Sequence, residues 1–197
     1  MKFKSIQLSS VLVAGLALGF STGALADKTF VSDQGHTEVM FGWSHVGITR
    51  QNGEFTKSVA TVNLAENITD STVEVEIDTS SLSSGFDKLD EHLMSADFLE
   101  VETYPTITFK STEVEMTGDN TMNVTGDLTI HGVTKPVVLE AEMTLNGEHP
   151  LAGSFDYYKG DWIAIQASTE IDHQAFEVGG FSTGPIAITI NTEMKAQ

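Results

Sequence analysis

Apolar and polar residues alternate along most of this chain in short runs. In 37–45, Thr37, Val39, Phe41, Trp43 and His45 fall on one face. In 71–78, Val73, Val75 and Ile77 share a face, while Thr72, Glu74, Glu76 and Asp78 take the other. The same period of two groups Ile107 with Phe109, Val124 with Leu128 and Ile130, and Val137 with Leu139, Ala141 and Met143. It returns in Ile163, Ile165, Ala167 and Ile171, and again in Ile186, Ile188 and Ile190. Successive side chains of a strand point to opposite faces, so the pattern predicts strands with one dry and one wet face. Gln51-Asn52-Gly53, Thr117-Gly118-Asp119-Asn120, Asn146-Gly147 and Lys159-Gly160-Asp161 read as turns. One stretch departs from the pattern. In 86–96, Phe86, Leu89 and Leu93 follow helical spacing, which predicts a single short helix across a barrel mouth or a sheet edge. Antiparallel strands joined by short turns build a sandwich or a barrel, so the expected fold class is all-β.

The first residues have a different character. Lys2 and Lys4 give a positive start, 11–20 is an uncharged apolar run, and Ala24-Leu25-Ala26 offers a small-x-small cleavage pattern. The run is short for the ~30 Å of hydrocarbon in a bilayer. The expectation is a cleavable signal peptide over 1–26 and one exported domain over 27–197, with no stable membrane insertion. Removing two lysines with the leader would take the net charge from −18 to −20. Such a surface repels nucleic acid, and Arg50 is the only arginine, so no arginine cluster exists for phosphate. Cysteine is absent, which excludes thiol nucleophiles, disulfides and cysteine-ligated metals.

The residues do not specify catalysis. Six histidines are present: His36, His45, His92, His131, His149 and His173. None forms the i, i+4 pair of a His-Glu-x-x-His site, and His36 and His45 lie nine apart on one strand, facing opposite sides. Neither a metal site nor a resident cofactor is expected. Gly180-Phe181-Ser182-Thr183-Gly184 has the letters of a nucleophile elbow, but Pro185 and a β-branched strand follow where that motif needs a helix. It reads as a glycine-rich turn.

Four segments carry a resemblance. They are His36-Thr37-Glu38-Val39-Met40-Phe41 with His45-Val46-Gly47-Ile48 and Gly53-Glu54-Phe55; Val75-Glu76-Ile77-Asp78-Thr79-Ser80-Ser81 with 90–99; Tyr104-Pro105-Thr106-Ile107-Thr108-Phe109-Lys110-Ser111-Thr112; and 124–137, which contains Ile130-His131-Gly132-Val133. In this order, over nearly all of 27–197, the chain resembles the YceI family of bacterial periplasmic proteins. The resemblance implies an extended, lipocalin-like, eight-stranded antiparallel barrel with one helical element. It implies an interior that takes a long amphiphile, such as a polyisoprenoid, an isoprenoid quinone or a fatty-acid-like chain. It also implies a Gram-negative periplasmic location, a possible homodimer and no shared enzymatic activity. The chain departs from the family pattern at Leu89, where an arginine is usual. It departs again in Ile171-Asp172-His173-Gln174-Ala175-Phe176-Glu177, where His173, Ala175 and Glu177 replace Arg, Asp and Gly. These changes bear on how a ligand headgroup would be met.

On that reading the wall residues would be Val39, Phe41, Trp43, His45, Val75, Ile77, Ile107, Phe109, Leu128, Ile130, Leu139 and Phe176, with Ser44 beside His45 and Trp43 at a polar end. Periodicity alone fits a filled core equally well, since an eight-stranded barrel is just wide enough for its own side chains or one slender ligand. Three readings stand: a binding protein for a long amphiphile, an enzyme on a lipid substrate using His45, His131 and His173, or a filled structural barrel.

Overall fold

The computed structural model describes residues 27–179 and 184–197. The expected leader and most of the 180–184 motif lie outside the described residues. The described residues form ten strands: β1 Lys28–His45, β2 Thr49–Phe55, β3 Ser58–Leu64, β4 Thr72–Asp78, β5 Leu82–Ser83, β6 Thr106–Met116, β7 Thr121–Ile130, β8 Val133–Glu148, β9 Asp161–Ile171 and β10 Ile186–Ala196. Every neighbouring pair is antiparallel. Running β1-β3-β4-β6-β7-β8-β9-β10, the sheet returns to β1 through the β10–β1 pairing and closes as the eight-stranded barrel.

β1 is long because it serves two partners on one side. Its residues from Lys28 to Val31 pair with β3, and those from Val39 to His45 pair with β2. Between them the register with β10 slips from Ser32 to Thr37. Asp33 organises this bulge. Its carboxylate accepts the Gly35 N–H at 3.0 Å and lies 2.8 Å from His36 Nδ1. The Asp33 hydrogen bond holds His36 above the ordinary imidazole range. For Asp33, partial burial pushes the carboxyl up, but His36 and the Gly35 N–H outweigh it and leave the pKa low. The break between β2 and β3 is stitched to the turn before β5, where the Lys57 N–H donates to Ser81 Oγ and the Thr56 N–H to the Ser81 carbonyl.

Two expected turns are strand instead. Gln51-Asn52-Gly53 sits inside β2, and the hairpin reverses at 46–48, with the Ile48 N–H on the His45 carbonyl at 3.0 Å. Val46 and Gly47 have φ of 47° and 76°, the sign of a primed two-residue turn. Asn146-Gly147 sits inside β8. Gly53 serves an aromatic ring rather than a turn. A Cβ there would stand 2.4 Å from Phe41 Cζ, so the ring lies flat on the opposite backbone. The turns at 117–120 and 159–160 are where the pattern put them.

One end of the barrel is packed solid. Phe30, Val62, Ile163 and Met194 form one buried group, and Phe109, Val114, Met122, Val124, Ala141 and Ala167 another. Trp162 is 0% exposed and donates its ring N–H to the Tyr158 carbonyl at 3.0 Å. The other end carries the irregular segments: the 46–48 tip, the helix α1 (Asp87–Met94), the 95–105 connection and the turn His173–Phe176. The helix is shorter than the predicted 86–96. Phe86 is extended and 62% exposed rather than helical. An eight-residue helix has little stability alone, and burial of one face holds it in place. The Asp90 carboxylate also accepts the Ser84 N–H at 2.7 Å, which ties the helix to the end of β5.

Candidate ligand-binding cavity

The inward faces of the strands leave a cavity of about 720 Å³ at the end that carries α1. The barrel interior is thus filled at one end and hollow at the other. At about 30 Å³ per water-sized unit of liquid, a methylene being similar in size, the space accommodates on the order of 20 carbons.

All twelve wall residues expected from the sequence lie on this cavity. Val39, Phe41, Trp43 and His45 come from β1, Val75 and Ile77 from β4, and Ile107 and Phe109 from β6. Leu128 and Ile130 come from β7, Leu139 from β8, and Phe176 from the turn after β9. Period two delivers all of these except Phe176, because each strand sends alternate side chains inward. Phe41 stacks on Trp43 with centroids 5.8 Å apart and tilts against Phe55 at 5.3 Å, which makes an aromatic wall along β1 and β2.

Other wall residues were not named as site residues. Ile186, Ile188 and Ile190 on β10 carried the same alternation and complete the ring beside β1. Leu89 and Leu93 project from α1, and Phe98, Leu99 and Val178 come from irregular segments where no period exists to reveal them. The helix therefore packs its apolar face onto the cavity, as its spacing suggested. The exposed wall residues Ser44, His45, Val46, Phe86, Lys88 and His92 mark the opening, between the first hairpin and α1.

The histidines separate by location. His45, His92 and His173 line the cavity, the first two at its opening. His131 does not. It sits in the β7–β8 turn, packs on Tyr104 with centroids 4.2 Å apart and lies 3.5 Å from Glu100. The three histidines that an enzymatic reading would combine are therefore not gathered on one surface. His36 and His149 lie near the packed end, both against Tyr158. Among the described residues, no three His, Asp or Glu side chains are grouped as a metal ion requires. No described helix is long and apolar enough to cross a membrane.

His173 is the most enclosed polar residue on the wall, at 6% exposure. Its Nδ1 is 2.6 Å from the Val178 carbonyl, and its own carbonyl accepts the Val178 N–H at 3.1 Å. Asp172 caps this turn by accepting the Gln174 N–H at 3.1 Å. Glu177 at φ 60° and Gly179 at φ 59° bring the chain back, and a Cβ on Gly179 would stand 2.7 Å from the Phe98 ring.

The YceI-like domain family matches residues 30–196 of the chain. A UPF0312 protein of Vibrio parahaemolyticus is 39% identical over 148 residues, covering 73% of this chain and 78% of its own. Among solved structures, BcnA of Burkholderia cenocepacia superposes with a TM-score of 0.70 at 23% identity, covering 82% of this chain and 98% of its own. A polyisoprenoid binding domain from Saccharophagus degradans superposes with a TM-score of 0.64 at 12% identity, covering 87% and 99%.

Proposed function

Since this chain belongs to the YceI-like domain family, we propose that it binds one long-chain amphiphile inside its barrel, apolar tail inward, and carries or sequesters it without chemical turnover. The observation that carries this reading is the cavity itself: about 720 Å³, walled by Val, Ile, Leu and Phe from nearly every strand, and opening at one end. The polyisoprenoid binding domain with the same fold supports a tail of the isoprenoid kind. The charged leader, apolar run and Ala24-Leu25-Ala26 support export to a periplasm, where water separates two bilayers and a long apolar molecule needs a container.

The energetics favour long chains. Each methylene leaving water contributes roughly 0.8 kcal/mol, against association costs of about 4–15 kcal/mol. Short chains bind poorly, and affinity climbs until the cavity is full. Titrating the delipidated protein with saturated alcohols of increasing length, read by displacement of a fluorescent fatty probe, is expected to show affinity rising up to about fourfold per methylene. The rise is expected to level off at on the order of 20 carbons. Affinity independent of chain length would contradict the proposal.

A further inference from the structure

We propose that the hairpin tip at 46–48, with Phe86 across the opening, is a lip that docks on a phospholipid bilayer, so that the ligand passes between membrane and cavity without crossing water. This inference rests on the amphiphile reading and adds to it the place where the ligand is exchanged.

The tip stands apart from the barrel wall. The β1–β10 ladder ends at Gly42 and the β2–β5 ladder at Glu54. Beyond those points β1 and β2 pair only with each other among the described residues: Trp43 with Gln51, Ser44 with Arg50 and His45 with Thr49. The end of this ribbon is apolar where a turn is ordinarily polar. Val46 is 69% exposed and Ile48 79%, and Phe86, just before α1, is 62% exposed. None of the three belongs to a buried apolar group. Val46 also holds φ at 47°, a left-handed conformation that a β-branched residue adopts only under strain. Asparagine or glycine would make this turn without the strain and without the exposed apolar surface. The tip is therefore unfavourable twice over in water, and an apolar group of this kind marks a surface that another phase covers.

The opening identifies that phase. Val46 and Phe86 line the cavity mouth as well as facing solvent, so whatever covers them also covers the mouth. A protein seated there would close the route to the cavity, whereas a bilayer is itself the store of long amphiphiles. Apolar tips enter the boundary between headgroups and acyl chains. The charges agree. No acidic residue lines the cavity, in a chain with 28 Asp and Glu against 10 Lys and Arg. Lys88 lines the opening, and Arg50 follows Ile48 by two residues. Both are exposed, and neither is in an ion pair among the described residues, whereas Lys28, Lys57, Lys110 and Lys159 each have one. A lipid headgroup offers them phosphate oxygens. Asp87 and Glu91 are exposed on the same helix, and with the net charge of −18 they keep the contact shallow and reversible.

Flotation of the delipidated protein with phosphatidylcholine vesicles tests docking without a ligand. The wild type is expected to float, Ile48→Ser to partition about 10-fold less, and Ile48→Leu to match the wild type. Transfer of a fluorescent fatty probe from vesicles is expected to speed up with protein concentration, as collision requires, and to slow about 10-fold in Ile48→Ser. Equilibrium affinity for the probe is expected to stay at the wild-type value, since Ile48 does not line the cavity. Val46→Asn is expected to raise the melting temperature by roughly 2–5 °C through relief of the strained turn, and to weaken flotation. A wild type that does not float would overturn the inference, and a dimer that Ile48→Ser dissolves would then assign the tip to a second copy. Transfer independent of protein concentration and unchanged in Ile48→Ser would overturn it too. So would a lower melting temperature in Val46→Asn, because Val46 would then serve the fold. Flotation of a wild type that binds no probe would uphold the docking surface and sink the amphiphile reading instead.

Discussion

Gly126→Val is expected to lower the melting temperature by roughly 10 °C, the consequence of about 3 kcal/mol of overpacking in a domain of this size. A Cβ at Gly126 would meet Phe109 Cζ at 2.4 Å and the Lys110 carbonyl oxygen at 2.6 Å. The first contact is with the far end of a side chain and could be relieved by rotation. The second is with backbone and cannot. Gly126 pairs with Ser111, next to the point where the β6–β7 register slips between Ser111 and Glu113. Relief therefore requires β6 and β7 to separate where their ladder is already interrupted. Circular dichroism melting of Gly126→Ala and Gly126→Val measures the effect. Melting temperatures within about 2 °C of wild type, less than 1 kcal/mol on this scale, would show that the strands can part without cost.

Gly53→Val is expected to do the reverse: to spare much of the fold and weaken ligand binding by about 100-fold. Here the three atoms nearest to an added Cβ all belong to the Phe41 ring, at 2.4 Å for Cζ and 3.0 Å for two further ring atoms. The ring can move, and Phe41 lines the cavity. Phe55 and Trp43 flank it at 5.3 and 5.8 Å, so the free direction is inward. A displaced phenyl group occupies the space of several methylenes, each worth roughly 0.8 kcal/mol to a bound chain, and three or four of them account for the hundredfold loss. Probe-displacement titration beside a melting curve separates the two effects. Wild-type affinity in a folded Gly53→Val protein would show that Phe41 does not border the bound chain.

The same two glycines show what could be read from the sequence. Alternation exposed seven of the ten described strands, missing β2, β3 and β5, and it exposed every named wall position except Phe176, because a barrel wall and a strand face are the same pattern. Glycine misled at Gly53, which follows Asn52 as a turn residue would but is there to let an aromatic ring lie on backbone. The true hairpin tip was hidden because Val46, a β-branched residue 69% exposed at positive φ, is not turn chemistry. Whether the interior is hollow was not legible either. Volume depends on how Phe30, Ile163 and Met194 fill one end while Leu89 and Leu93 merely cover the other. His173 stood out as a substitution in a familiar segment, but its contact with the Val178 carbonyl is one that only the folded turn creates.

The central claim is that the hollow end of the barrel holds a long amphiphile in the cell. Native mass spectrometry of the protein isolated from its own host without detergent, followed by organic extraction and mass analysis, tests it most directly. The account predicts an adduct at one per chain that is lost on denaturation and recovered in the extract as a long-chain compound. Repeated recovery of the bare polypeptide mass, with no long-chain compound in the extract, would contradict it.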